Sequence, residues 1–133
     1  MIPPLHKRIF DIAYKHRVGH LSSAITACDI LDEIYAIKRP GEEVILSCGH
    51  CFLGLAAVIE KYEGHDAEQA FLHSGCHPHY DPAHGIHCST GSLGLGITIA
   101  AGMALADRSR NVWVLISDGE LESGACLEAL SFK

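Results

Sequence analysis

The chain has 133 residues, with 10 Lys and Arg against 16 Asp and Glu for a net charge of -6, and is 48% apolar and 20% charged. That length suits one domain, and the content of Ile, Leu, Val and Ala is too high for a disordered chain. An acidic chain with no basic stripe lacks the electrostatic footprint of a nucleic-acid binder, and no apolar run approaches the ~18 residues of a membrane-spanning helix.

Leu5, Ile9, Ile12 and Ala13 recur at helical spacing and predict a first helix from about Leu5 to His16. A Gly19-His20-Leu21-Ser22-Ser23 turn follows. Thr26 with Asp29 reads as a capping box, opening a second helix with Ala27, Ile30, Leu31 and Ile34 on its inner face. Pro40-Gly41 closes that region, and Val44-Ile45-Leu46 suits a buried parallel strand over 44–47. An almost wholly apolar helical stretch runs from Phe52 to Ile59, and Asp66 is placed to cap a short helix through Ala70 and Phe71.

Residues 74–90 hold Cys76, His77, His79, His84, His87 and Cys88 among prolines and glycines, too irregular for helix or strand. Gly91-Ser92-Leu93-Gly94-Leu95-Gly96 leads into a helix over Ile97–Leu105, rich enough in Ala and Gly to pack very closely. Val112–Ile116 is a second buried strand, expected over 112–117, and a last amphipathic stretch starts near Glu122. Strands alternating with helices predict an α/β fold, a parallel sheet with flanking helices. Two strands are few for such a sheet, so further chain or a partner is expected to complete the layer.

Cys48-Gly49-His50-Cys51 has the spacing of a redox motif at a helix start. A thioredoxin-like fold also needs a proline facing the pair from a later strand, and the last proline, Pro82, lies in the irregular loop. Cys48 and Cys51 are therefore expected to be reduced and not catalytic. The start MIPPLHKRIFDIAYKH has no continuous apolar core of a signal peptide, so the six cysteines are expected to be thiols of a cytoplasmic protein. The Cys and His residues of 74–90 could bind a transition metal with Cys48 and Cys51, but no pair-to-pair spacing matches a zinc finger.

The glycines at 91–96 could offer backbone N–H groups to an anion or serve only close helix packing. Ser117-Asp118-Gly119-Glu120 carries more. An apolar strand ends directly in a carboxylate and a glycine, at the strand end where α/β sheets bind ligands. Such a carboxylate suits magnesium held through a ligand phosphate, and glycine admits a close backbone approach.

In order along the chain, Gly19-His20 with Ser22-Ser23 and Asp29-Ile30-Leu31, then Leu46-Ser47-Cys48-Gly49-His50, His77-Pro78, Ser89 to Ile97, Gly102-Met103-Ala104 and Ser117-Asp118-Gly119-Glu120-Leu121 resemble the N-terminal, thiamin-diphosphate-binding part of the transketolase family. The resemblance implies that Asp118 binds Mg2+ and that Gly119 lies against the diphosphate. It makes His50 a neighbour of the diphosphate, and Gly91 and Leu93 part of the loop touching diphosphate and aminopyrimidine. His20 and His77 correspond to active-site histidines that bind substrate hydroxyls and help move protons. The implied reaction transfers a two-carbon ketol unit from a ketose to an aldose by way of thiamin diphosphate.

Departures from the family pattern are specific. Leu21 and Ser22 follow His20 where the family reads Pro-Gly, Ser117 replaces the first Gly of the second signature, and Ser123 replaces its late Glu, with Glu122 one position early. The family's second magnesium ligand, an Asn, would fall beyond Lys133, and the pyrimidine-binding domain with its activating glutamate lies outside this sequence. Residues 1–133 are thus expected to form a single partial domain, the N-terminal half of a thiamin-diphosphate-binding domain. Its expected partners are sugar substrates, sugar phosphates in particular, and a polypeptide carrying the missing parts, in an oligomer. By itself the chain is expected not to be a stable, active monomer, and to self-associate or bind that polypeptide. A non-catalytic remnant or assembly module, and a Cys/His thiol or metal protein, are the alternatives.

Overall fold

The computed structural model describes residues 2–132. Its elements in chain order are α1 (Pro4–His16), α2 (Ser22–Ile37), β1 (Glu43–Leu46), α3 (Phe52–Glu63), α4 (Ala67–Ser74), α5 (Leu95–Ala106), β2 (Val112–Leu115), α6 (Asp118–Leu121) and α7 (Gly124–Ser131). Short 3-10 turns occupy Gly49–Cys51 and Pro82–His84. The fold is α/β, with β1 and β2 paired in parallel so that Val44 pairs with Trp113 and Leu46 with Leu115.

Strand periodicity divides the interior. Val44 and Leu46, with Trp113 and Leu115, pack on one side of the sheet among Ile9, Ile12, Leu31, Phe52 and Val58. Ile45, Val112 and Val114 pack on the other with Cys88, Ala100, Ile99 and Met103. This alternation is the two-residue repeat of a strand buried on both faces. Helices α1 to α4 cover the first side, and α5, with α7 against it, covers the second.

Helix α3 is buried at every residue from Phe52 to Ile59. Gly54 allows α2 to approach, because a Cβ there would overlap the Ala24 carbonyl oxygen. Arg8 of α1 donates to Glu60 of α3 at 2.9 Å from both Nε and Nη2, and Glu60 also accepts the Ala67 N–H at 2.7 Å. One carboxylate thereby joins α1, α3 and the start of α4. Asp66 caps α4 as expected, accepting the Gln69 N–H at 2.9 Å.

Three expectations are corrected. Helix α2 begins at Ser22, so Thr26 lies inside it and donates to the Ser22 carbonyl rather than capping an N-terminus. Asp29 instead pairs with His6 of α1 at 2.6 Å, and Ile30 is left 44% exposed while Cys28 and Tyr35 turn inward. The strands are one to two residues shorter at their carboxyl ends than 44–47 and 112–117, because the chain turns there to form the loops of the site. The last stretch forms one helix, α7, which Ser123 caps and which starts two residues beyond Glu122, and the short α6, capped by Ser117, precedes it. Close packing of α5 is confined to Gly96 and Ala100: a Cβ on Gly96 would lie 2.5 Å from Ser47 Cα, whereas Gly102 faces open space.

Candidate functional site

Both strands deliver their carboxyl ends to the same side of the molecule, as parallel pairing requires. β1 continues into Ser47-Cys48 and the turn at Gly49–Cys51, and β2 into Ile116-Ser117 and α6. A cavity of about 360 Å³ opens between them. His50, Cys48 and Cys51 line it from the first strand end, Ser117 and Asp118 from the second, and Ser22, Ser23 and Thr26 from the start of α2.

His50 and Asp118 thus share one cavity, as their places in the sequence predict. The His20 ring lies 6.0 Å from the His50 ring, in the turn between α1 and α2. His77, Gly91, Leu93 and Gly119 do not line this cavity. His77 and Gly91 are instead neighbours of each other: Gly91 has φ +152, and a Cβ there would be 3.0 Å from His77 Cδ2. That backbone conformation is strained for any residue bearing a side chain. Leu93 is 61% exposed. Gly119 is exposed, with no atom near the position a Cβ would take, so its backbone is open to approach.

The loop before α5 is stitched to the end of β1. Thr90 Oγ1 donates to the Leu46 carbonyl at 2.6 Å, and a Cβ on Gly49 would lie 2.8 Å from the Thr90 carbonyl oxygen. This contact sets the Thr90-Gly91 backbone, and His77 beside it, next to the turn that carries His50.

Sequence reasoning misses Glu120. Its side chain is 1% exposed, and Oε1 accepts from Ser47 Oγ at 2.5 Å and from the Gly94 N–H at 2.7 Å. One oxygen therefore ties the end of β1, the glycine loop and α6 together. Oε2 is buried without a hydrogen-bond partner. A signal is present: Ser117 and Glu120 have capping-box spacing, and Ser117 Oγ does accept the Glu120 N–H at 3.3 Å. The carboxylate of that box reaches across the fold instead of back to its own helix.

Among the described residues no group of three or more His, Cys, Asp and Glu is arranged to hold a metal ion. In residues 74–90, His84 is bonded to Asp81 at 2.7 Å and stacks edge-on against His65, while Cys88 is buried in the core. Asp118 is a single exposed carboxylate at the cavity wall. Magnesium commonly takes one or two protein carboxylates and completes its shell with phosphate and water. A lone Asp followed by an unobstructed glycine fits a magnesium diphosphate and does not fit an all-protein metal cage. No helix among the described residues is long and apolar enough to cross a membrane.

No protein-family model matches the chain. Comparison with curated proteins finds relatives over most of it. It is 30% identical to an apulose-4-phosphate transketolase subunit of Phocaeicola vulgatus, across 92% of this chain and 50% of that protein. It is 32% identical to the 6-deoxy-6-sulfo-D-fructose transketolase subunit SqwG of a Clostridium species, across 86% of this chain and 49% of the relative. The transketolase of Mycoplasma genitalium is 29% identical across 87% of this chain and 23% of its own length. The chain spans about half the length of the relatives named as subunits and about a quarter of the longer enzyme. With its ordered motifs, its parallel α/β fold and these relatives, the chain belongs to the transketolase family, as an N-terminal part.

Proposed function

We propose that residues 1–133 are the N-terminal half of the thiamin-diphosphate-binding domain of a cytoplasmic transketolase-type transferase, acting on sugars or sugar phosphates with a polypeptide that carries the remaining parts. The observation that supports this most is the cavity at the carboxyl ends of both strands, with His50 on one wall and Asp118 on the other. Ligands of open α/β sheets gather at that end. Two of the relatives carry the word subunit in their names, which favours an enzyme divided between chains.

In this reading Asp118 is a magnesium ligand and Gly119 lets the backbone close on the diphosphate. His50 stands beside the diphosphate, and Gly91 and Leu93 belong to the loop reaching the diphosphate and aminopyrimidine. Thiamin diphosphate, when bound, supplies the carbanion chemistry of ketol transfer. The chain's own residues bind, orient and move protons. His20 and His77 bind substrate hydroxyls and exchange protons with them, a task suited to imidazole, whose two ring nitrogens can donate and accept. Further chain or the partner supplies the second magnesium ligand and the glutamate that activates the aminopyrimidine.

Calorimetric titration with thiamin diphosphate, with and without Mg2+, tests the proposal on the chain alone and on the chain with its completing polypeptide. Saturable, magnesium-dependent binding in the complex, absent with thiamin lacking the diphosphate, is the expected result. A stable complex that binds no thiamin diphosphate would instead identify an assembly module without turnover.

A further inference from the structure

Cys48 and Cys51 are not used by the proposed transferase, yet both thiols line the cavity that holds His50 and Asp118. They flank one tight turn, in which the Cys51 N–H donates to the Cys48 carbonyl at 2.9 Å. Such an i to i+3 turn keeps the two Cα atoms within about 7 Å, and disulfides form across Cα separations of about 4.4–6.8 Å. Cys48 and Cys51 are themselves only 6% and 3% exposed, and what sets them apart is the cavity wall they share: Cys28 and Cys126 are wholly buried, Cys88 packs in the second core cluster, and Cys76 is exposed on the loop.

We propose that Cys48 and Cys51 form a reversible dithiol–disulfide site in the cavity wall, which exchanges with small-molecule disulfides of the glutathione type and closes a bond across the turn bearing His50. Two details assign the order of events. The Cys51 thiol beside it lowers the pKa of Cys48, against the opposing effects of burial and of the Glu120 charge, while Cys51 is raised, and the Cys48 thiol itself lies 3.7 Å from the Leu115 carbonyl, to which it donates. Cys48 is therefore the attacking sulfur. Its thiolate attacks the external disulfide, whose S–S bond breaks, and one small thiol leaves with the proton released by Cys48. Cys51 then gives up its proton and displaces the second small thiol from Cys48, forming the Cys48–Cys51 bond. Two protein thiols are oxidised and one external disulfide is reduced to two thiols. An excess of the reduced thiol reverses both steps.

The experiment incubates the folded 133-residue chain in oxidised glutathione, blocks free thiols with an alkylating reagent after acid quench and denaturation, and maps each cysteine by mass spectrometry. The expected product has lost two hydrogens between Cys48 and Cys51, is regenerated by reduced glutathione, and leaves Cys28 and Cys126 fully alkylated. Cys76, being exposed, takes up glutathione and reports that the reagent was active. Cys51→Ser is expected to trap a mixed disulfide on Cys48, whereas Cys48→Ser leaves Cys51 unmodified. Glutathione on Cys76 with Cys48 and Cys51 both still alkylatable would overturn the proposal. So would a Cys48–Cys51 bond that appears only when circular dichroism shows the chain unfolded. Because the wild-type result decides on its own, a variant that fails to fold does not rescue the idea.

Discussion

Ser47 and Glu120 lie 73 residues apart in the chain, and their side chains meet at 2.5 Å in the interior. Ser47 directly follows the first strand and Glu120 belongs to the first turn after the second, so this bond locks the two strand ends that form the cavity. The Gly94 N–H shares the same carboxylate oxygen, which brings the glycine loop into the lock.

Removing that carboxylate leaves two buried donors without an acceptor. Glu120→Ala is expected to destabilise the folded chain by about 1.5–3 kcal/mol, the range for losing hydrogen bonds to a charged group. Glu120→Gln keeps an acceptor oxygen for both donors and should cost less. Urea denaturation of the three proteins checks this, and equal midpoints for all three would contradict the role given to Glu120.

Asp118 should dominate the magnesium-linked step. Asp118→Ala is expected to abolish magnesium-dependent binding of thiamin diphosphate in the complete assembly, because the diphosphate charge is then poorly neutralised. His84→Ala, altering a histidine bonded to Asp81 and outside the cavity, should leave binding nearly unchanged. Calorimetry on both variants makes the comparison, and equal, small effects would count against Asp118 as a magnesium ligand.

Glycine substitutions should separate close packing from open surface along one helix. Gly96→Ala drives a methyl group into Ser47 and is expected to cost about 1–3 kcal/mol, as overpacking does. Gly102→Ala meets nothing and should stabilise α5 by about 0.5–1 kcal/mol through the better helix propensity of alanine. Thermal denaturation should therefore move in opposite directions for the two variants.

Acid should loosen the base of the sheet. Buried Glu42 accepts from Trp113 Nε1 at 2.9 Å and from the Arg39 N–H at 3.0 Å, and these bonds with the Arg39 guanidinium lower its pKa from 4.5 to about 2. A carboxyl whose pKa is lower in the folded state stabilises the fold above the unfolded pKa and loses that contribution as pH falls. The contribution should therefore be complete near neutrality and fade as pH drops from 4.5 towards 2. Glu42→Gln should be less stable than wild type at neutral pH, with the gap narrowing in acid. Denaturation midpoints at several pH values test this, and a gap independent of pH would exclude the charge as its cause.

Association should follow from the surface around the second strand. Leu127, Leu130 and Phe132 of the C-terminal segment are 56%, 61% and 68% exposed. Thr98, Ala101, Gly102 and Leu105 of α5 form a mostly apolar cavity with Glu128, Ala129 and Phe132 beside them. Exposed apolar surface of this kind marks association sites. Sedimentation of the purified chain is expected to show self-association, and ketol transfer should appear only with the completing polypeptide. A monomer that turns over a ketose unaided would contradict this.

Local pattern is enough to read much of this protein. The helical spacing of Ile9, Ile12 and Ala13, the apolar block from Phe52 to Ile59 and the two apolar strands each encode their element within a few residues. The Asp66 cap is legible for the same reason, since donor and acceptor are three residues apart. Thr26 and Asp29 match a cap equally well, but α2 gains a further turn from Ser22, and Asp29 pairs with His6 from another helix. The carboxylate of Glu120 likewise leaves its own turn for Ser47 and Gly94, and the Gly91 backbone acquires its place from His77 and from Thr90 bonded to Leu46. Hydrophobic periodicity and capping are short-range properties of the chain, whereas the partner of a buried polar group depends on which strand ends the parallel pairing brings together.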